Sequence, residues 1–476
     1  MLKHEKPTRI GFVPASRGFF SASLATKTRE NSIQVFQSLN IDVVVPTEQQ
    51  TRLGCVENRQ EAEVCATLFR HADVDGIIIG AMNFGDEQAA AQVIKESRLN
   101  VPVFLFGAQE EQQLSMQMDR RDAFCGLLSI AEALRQIAVP YSVGERPICS
   151  PAIDPQFRND LDMFIRACRV VKGIRCARYG QLGARPDAFW TCRFDEKQLQ
   201  KIGPTTIVLD LSEAFAAVDK ISDSDAAATL TGVRQYADCS GNADSSLMKI
   251  AKFELFLRRW IEEQNLDGLA IQCWTSIQQN LGICACTAMS RLADAGFPCA
   301  CEADILGTLS MHACQLASGT PAALADWNNL HNEDDELVNL WHCGVFPKAF
   351  AKDQPRLKVH EILKSVSGIG PEKSVGTIEF EVKPSPVTLL RVTQDSGGTS
   401  KTLIVEGRFE ANPAKTFGSY GWCRITGLQT LYREVLLVHF PHHVAATQGH
   451  FSNPLREAFK NYLNLDVYPA ASRSKQ

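Results

Sequence analysis

The sequence predicts an α/β protein built as two consecutive Rossmann-like parallel-sheet domains followed by a C-terminal antiparallel β domain. Three observations carry this. Unbroken Val/Ile/Leu runs alternate with helix-length segments from the N-terminus to about residue 302. The alternation restarts near residue 155, which marks a second unit. After about residue 352 the hydrophobic period becomes two. A strand covered on both faces has no polar side to alternate with, and parallel neighbours need a crossover helix between them. Period-two alternation instead marks a strand with one buried face.

In chain order, Arg9-Ile10-Gly11-Phe12-Val13-Pro14 reads as the first strand, and residues 26–39 as a helix. Ile41-Asp42-Val43-Val44-Val45-Pro46, Gly76-Ile77-Ile78-Ile79-Gly80 and Val101-Pro102-Val103-Phe104-Leu105-Phe106-Gly107 repeat the strand pattern, and a helix over 120–139 closes a domain expected at 1–153. The second domain, 154–351, has helices over 161–172, 246–263 and 286–295, with strands over 205–211, 268–272 and 297–302. Open parallel sheets bind ligands at the carboxyl ends of their strands, so segments 272–282 and 302–307 are the first candidates for a site. The third domain, 352–476, carries strands over 375–382, 387–392 and 402–409, with Ser396-Gly397-Gly398 as a turn. A helix over 454–463 and a short strand at Leu465-Asp466-Val467-Tyr468 end it.

Composition excludes several classes. Hydrophobic residues make up 45% and charged residues 22% of the 476 residues, as in a globular protein. Lys and Arg total 49 against 54 Asp and Glu, so there is no basic excess for a nucleic acid. No apolar run approaches the roughly 20 residues of a membrane span. The polar start Met1-Leu2-Lys3-His4-Glu5-Lys6-Pro7 lacks a signal-peptide core, which predicts a cytoplasmic protein. The 16 cysteines, many in apolar runs such as Cys284, Cys286, Cys299 and Cys301, then read as reduced, buried thiols rather than a disulfide or zinc framework. Phosphate-loop, HExxH, GxSxG and dinucleotide fingerprints are absent.

Three groups could carry chemistry. Cys301-Glu302-Ala303-Asp304, followed by Gly307, puts two carboxylates just past an apolar strand. They could bind Mg²⁺ or Mn²⁺, or one could act as a base, or they could simply cap the next helix. Phe440-Pro441-His442-His443-Val444, with His439 before it and His450 after it, offers imidazoles. Adjacent residues of an extended segment face opposite ways, so one of His442 and His443 would join a given metal site, unless the segment is an exposed polar turn. Ala325-Asp326-Trp327-Asn328-Asn329 and Trp341-His342-Cys343-Gly344 mix amides and aromatics that suit a polyhydroxylated ligand, or form a loop with Asx turns.

Together these segments resemble the L-fucose isomerase / L-arabinose isomerase family, particularly its shorter fucose-isomerase-like members, over nearly the whole chain. The resemblance adds Arg178-Tyr179-Gly180-Gln181-Leu182-Gly183-Ala184-Arg185-Pro186, Phe189-Trp190-Thr191, Gln272-Cys273-Trp274-Thr275 and Thr416-Phe417-Gly418-Ser419-Tyr420-Gly421 to the groups above. It implies a metal-dependent aldose–ketose isomerase acting on a five- or six-carbon sugar, fucose- or arabinose-like or modified at C6. The family works through an enediolate, uses Mn²⁺ or another divalent cation, and forms homo-oligomers whose sites are shared between subunits. By resemblance Glu302, Asp304 and His443 would hold the metal. Asp304 and Glu302 would move the proton, and Arg17, Gln272, Trp274, Asn328, Tyr420 and His442 would contact the sugar.

The chain departs from the family at one point. A catalytic glutamate expected shortly after the Cys-Trp pair matches Gln279, which can offer a carbonyl oxygen to a metal but cannot act as a carboxylate base. Three readings follow: proton transfer by Asp304 or Glu302 alone, a sugar-binding relative that lost its base, or an engineered Glu→Gln change. A lyase or epimerase acting on a related sugar or sulfosugar would use the same enediolate chemistry.

Overall fold

The computed structural model describes residues 7–111 and 113–469. The chain forms two compact units. One gathers the described residues through Lys172 together with Arg456–Asn464; the other gathers Gly173–Leu455 and the described residues from Leu465.

The first unit runs β1 (Arg9–Ala15), α1 (Ala22–Ser38), β2 (Asp42–Val44), α2 (Arg59–Ala72), β3 (Gly76–Ala81), α3 (Glu87–Ser97), β4 (Val103–Ala108), α4 (Ala123–Gln136), β5 (Ser142–Cys149) and α5 (Pro155–Arg175). Its strands form a wholly parallel sheet in the order β2-β1-β3-β4-β5. β3 and β4 are buried at every residue, which is why they read as unbroken aliphatic runs. Asn58 and Asp86 start α2 and α3 by accepting the backbone N–H three residues on. The helix expected over 454–463 is a short α-turn (Ser452–Arg456) followed by a π-turn (Glu457–Tyr462). Tyr462 is anchored there by donating from its hydroxyl to the Val103 carbonyl at 2.9 Å.

The second unit continues with β6 (Arg178–Leu182), α6 (Glu196–Ile202), β7 (Thr205–Leu209), α7 (Leu211–Asp219), α8 (Asp223–Tyr236), α9 (Asp244–Gln264), β8 (Gly268–Ile271), α10 (Ser276–Asn280), α11 (Cys286–Asp294), β9 (Cys299–Ala300) and α12 (Ile305–Ser318). Its four-stranded parallel sheet has the order β7-β6-β8-β9. There follow β10 (Ala322–Leu330), β11 (Leu337–His342), β12 (Arg356–Val359), β13 (Val375–Glu381), β14 (Ser385–Gln394), β15 (Ser400–Glu410), β16 (Ser419–Arg424), α13 (Leu428–Val438), β17 (His443–Gln448) and β18 (Asp466–Tyr468).

These last strands form a nine-stranded sheet in the order β12-β13-β16-β11-β10-β17-β14-β15-β18. It is antiparallel except at β13–β16 and β15–β18, which pair parallel. β10 and β11 belong to this sheet although they precede residue 352, so the composition change lags behind the start of the β layer. α12 is buried at every position from Ile305 to Ala317. A helix apolar all round needs cover on all sides. Among the described residues, no helix is long and apolar enough to cross a membrane.

Candidate active site

The site forms where strand ends of the second unit meet the start of α12. β9 has only two residues because the chain turns sharply after it. Glu302 and Ala303 both take left-handed backbone conformations, with φ of 59° and 55°. Such conformations cost non-glycine residues of order 1–3 kcal/mol each and recur at functional sites. The turn delivers Glu302 and Asp304 to one place. Asp304 then caps α12, its Oδ1 accepting from the Gly307 N–H at 2.8 Å. The capping and the functional readings of this motif therefore both hold for parts of it.

Asp304 is saturated with donors. Arg391, in the middle of β14, reaches Oδ2 through Nη1 at 2.5 Å and Oδ1 through Nη2 at 3.2 Å. His443, the first residue of β17, lies with Nδ1 2.7 Å from Oδ2. A side chain on Gly307 would collide with this carboxylate, since a Cβ there would sit 2.6 Å from Oδ2. Burial opposes ionisation of Asp304, but the Arg391 charge and the His443 hydrogen bond outweigh it and hold the carboxyl well below the usual range.

The opposite nitrogen of His443 faces a different set of atoms. Its Nε2 lies 2.8 Å from Glu302 Oε2 and 3.5 Å from Asp326 Oδ1. Strand register explains the second contact, because Asp326 on β10 is paired directly with His443. Glu302, His342 and His443 each bring a ligand atom within 4.8 Å of the others, as do Asp326, His442 and His443. Glu302 Oε2, Asp326 Oδ1, His342 Nε2 and His443 Nε2 are all buried without an aligned hydrogen-bond partner. The two groups overlap at His443, and buried O and N atoms left unsatisfied in this way are costly unless a cation completes them. Two carboxylates and two imidazoles suit a divalent ion of the Mn²⁺ type.

The electrostatics agree with a surplus of negative charge. Burial lowers the His443 pKa, yet its contacts with Asp304, Cys192 and the Glu302 charge raise it well above its ordinary value. His342 is likewise disfavoured by burial but is driven up to about 9 by the charges of Cys343 and Asp326. Burial raises Asp326, against the pull of His342 and His443. Burial works against ionised Glu302 too, but His443 brings its pKa below the ordinary value.

Each imidazole is steered by its Nδ1. Asp304 holds that of His443, and that of His342 accepts from the Cys343 backbone N–H at 2.9 Å, with Cys343 Sγ 3.2 Å away. Such outer partners fix ring orientation and tautomer in metal sites. Cys343 also touches Cys286, Sγ to Sγ, at 3.9 Å. All sixteen cysteines are free thiols, most of them buried, with Cys125 and Cys176 exposed.

Several expected contacts gather here. Trp274 directs Nε1 toward Glu302 Oε1 at 3.5 Å, and Phe189 packs edge-on against Trp274 with ring centroids 5.4 Å apart. His442 stacks near His443, centroids 4.4 Å apart, with Nε2 3.8 Å from Asp326. Burial and the neighbouring His443 push its pKa down to about 4. Gln272 instead supports the loop after β6, accepting from the Ala184 N–H at 2.8 Å.

The other expected residues have surroundings of their own. Gln279 is exposed on the short α10, and the buried glutamine of that helix is Gln278, whose amide donates to the Cys273 carbonyl at 2.9 Å. Asn328 is exposed at the β-bulge between Trp327 and Asn329. Tyr420 pairs with Trp341 within the sheet. Arg17, in the first unit, is engaged by its own surroundings: Nε donates to the Gly85 carbonyl at 2.8 Å and Nη2 pairs with Glu87.

Sequence reasoning assigned Asp326 and His342 to a sugar-binding loop and passed over Arg391. Each carried a signal. Asp326 and His342 stand at the ends of apolar strand runs, as Glu302 does, and Arg391 interrupts Val387-Thr388-Leu389-Leu390 and Val392.

Residues 11–175 match the family model "Fucose/sulfoquinovose isomerase, N-terminal domain", and residues 340–469 match "L-fucose isomerase, C-terminal domain". The chain is 25% identical over 398 residues to a sulfoquinovose isomerase of Alkalicoccus urumqiensis, covering 83% of this chain and 85% of that protein. It is 23% identical over 403 residues to one of Priestia aryabhattai, covering 84% and 85%. A third, from Clostridium sp. (strain MSTE9), is 23% identical over 430 residues, covering 86% and 88%.

Proposed function

Since the chain belongs to the fucose isomerase family and is an isomerase acting on sugars, we propose that it interconverts an aldose and a ketose at the cluster of Glu302, Asp326, His342 and His443, with a divalent cation as cofactor. The observation that carries this reading is four buried O and N atoms with no aligned partners, in two groups that overlap at His443. Mn²⁺ is the favoured ion for that donor set.

Isomerisation moves a proton between C2 and C1 through an enediol. The cation, when held by these four residues, supplies positive charge that stabilises the developing enediolate. Glu302 takes the proton from one carbon and returns it to the next. Asp326, its acidity weakened by burial, carries the hydroxyl proton between O1 and O2. Asp304 is poorly suited to proton uptake, because Arg391, Gly307 and His443 already occupy its oxygens. Its role is to aim His443. Trp274 and Phe189 offer apolar ring surface to the sugar, and half-exposed, neutral His442 offers a hydrogen bond to a hydroxyl.

For the substrate we favour an aldohexose modified at C6, and sulfoquinovose is the first sugar to test because the relatives named above are sulfoquinovose isomerases. A homo-oligomer is supported by large apolar side chains left exposed on the second unit, among them Trp190, Val208, Leu436 and Leu437.

The test is deuterium incorporation from D₂O at C2 of sulfoquinovose, L-fucose and L-arabinose with added Mn²⁺. Exchange that disappears in Glu302→Gln and in Asp326→Asn supports the reading. Exchange that persists in both variants would remove these carboxylates from the mechanism.

A further inference from the structure

We propose that Cys301, Cys343 and Cys286 form a second cation site, selective for soft thiophilic ions such as Cd²⁺ or Zn²⁺, that shares the imidazole of His342 with the oxygen–nitrogen site. Cys301, His342 and Cys343 bring Sγ, a ring nitrogen and Sγ within 4.8 Å of one another. Cys286 Sγ stands 3.9 Å from Cys343 Sγ. In a tetrahedron with Zn–S bonds of 2.3 Å the sulfur–sulfur edge is about 3.8 Å, so this pair is spaced as two ligands of one ion would be. Cys273 extends the sulfur row, lying within 4.8 Å of Cys301 and Glu302.

The chain brings the thiols here through the same elements that build the other site. Cys301 precedes Glu302 at the turn after β9, and Cys343 follows His342 at the end of β11. Cys286 opens α11 beside them. Cys286 and Cys301 are buried, and Cys343 is partly exposed, which gives an ion a way in. Thiolate donors reject hard cations and favour soft ones, whereas carboxylates do the reverse, so the two donor sets sort ions by chemistry. Capture of a divalent ion releases whatever protons the ligating sulfurs still carry. Because His342 Nδ1 lies against Cys343 and the same ring is grouped with Glu302 and His443, an ion held by the sulfurs competes with the other site for this imidazole. Sharing His342 rests on the proposed isomerase site; capture by the thiols does not.

The experiment titrates Cd²⁺ into the reduced, metal-free full chain and follows thiolate-to-cadmium charge-transfer absorption, with no sugar present. The expected result is a saturable band at one Cd²⁺ per chain. Its affinity should fall in both Cys343→Ser and Cys301→Ser by at least the roughly tenfold that even an outer partner of a metal ligand is worth. Cys286→Ser serves as a second variant if either of these fails to fold, which circular dichroism reports. The band should survive in His443→Gln, which affects the oxygen–nitrogen site alone. Absence of a band, or a band unchanged in the serine variants, overturns the thiol site. Mn²⁺ affinity, read by electron paramagnetic resonance with and without Cd²⁺, should fall when the thiols are loaded; an unchanged affinity overturns the sharing of His342. Absence of sugar exchange would overturn the isomerase reading and leave the cadmium result standing.

Discussion

Arg391 grips Asp304 from within the sheet, both side chains almost wholly buried, by a two-point contact of 2.5 and 3.2 Å. The pair joins β14 to the start of α12, and Asp304 passes the contact on to His443. Removing the guanidinium would leave a buried carboxylate facing only Gly307 and His443. Breaking a buried pair in this way costs about 3–5 kcal/mol. Arg391→Met should therefore melt well below the parent protein in thermal denaturation. Arg391→Lys should fall between the two, because an ammonium keeps the charge but not the planar fork.

Asp304→Asn separates the role of the carboxylate from that of the helix cap. Asparagine caps helices about as well as aspartate, so α12 should start normally and stability should change by no more than about 1 kcal/mol from the cap itself. What is lost is the charge that faces both Arg391 and His443 Nδ1, so melting should fall through the broken Arg391 pair rather than through the cap. We expect Mn²⁺ affinity and turnover to fall by about 10–100-fold, the usual worth of an outer partner of a ligating histidine. Full turnover in this variant would mean that Asp304 does not steer His443.

The sequence made the layers legible for simple reasons. Doubly covered strands such as Ile77-Ile78-Ile79 declare themselves by unbroken aliphatic runs, and β13 by its alternating Ile378-Glu379-Phe380-Glu381. Glu302, Asp304 and His443 stood out as polar groups next to apolar runs, but the choice of His443 over His442 came from the family resemblance rather than from the pattern. Asp326 and His342 needed strand register, which no local pattern contains: Asp326 meets His443 only because β10 pairs with β17 in that alignment. Gln279 was mislocated for a related reason. Whether residue 278 or 279 of a one-turn helix faces inward depends on packing, and here Gln278 is the buried one.

That last point predicts an outcome for Gln279→Glu. A surface substitution changes folding stability by about 0.5 kcal/mol or less, and Gln279 is exposed on α10 rather than turned inward. Deuterium exchange at C2 should therefore be nearly the same with glutamine or glutamate at 279. A gain of orders of magnitude would show that this side chain enters the reaction after all.

Finally, the titrating groups make the metal-free protein sensitive to alkali in a way the metal-loaded protein is not. His443 and His342 both have pKa values raised by folding, the latter to about 9. A histidine raised in the folded state stabilises it fully below its unfolded value of about 6.5, and that contribution is lost as pH rises through the folded value. Asp304 and Glu302 are lowered by folding, so their contribution is present above about 4 and is lost as pH falls through their folded values. The metal-free protein should thus be most stable between about pH 4 and 6.5, and should lose stability from about 6.5 upward. A divalent cation replaces the imidazolium protons, so its affinity rises with pH and its stabilising effect grows as that of the protons fades. Thermal melts with and without Mn²⁺ across this range should diverge on the alkaline side. The divergence should shrink in His443→Gln, which isolates this histidine from other titrating groups. Melting curves that stay parallel from about pH 6.5 to 9 would rule out His443 and His342 as the groups that exchange protons for metal.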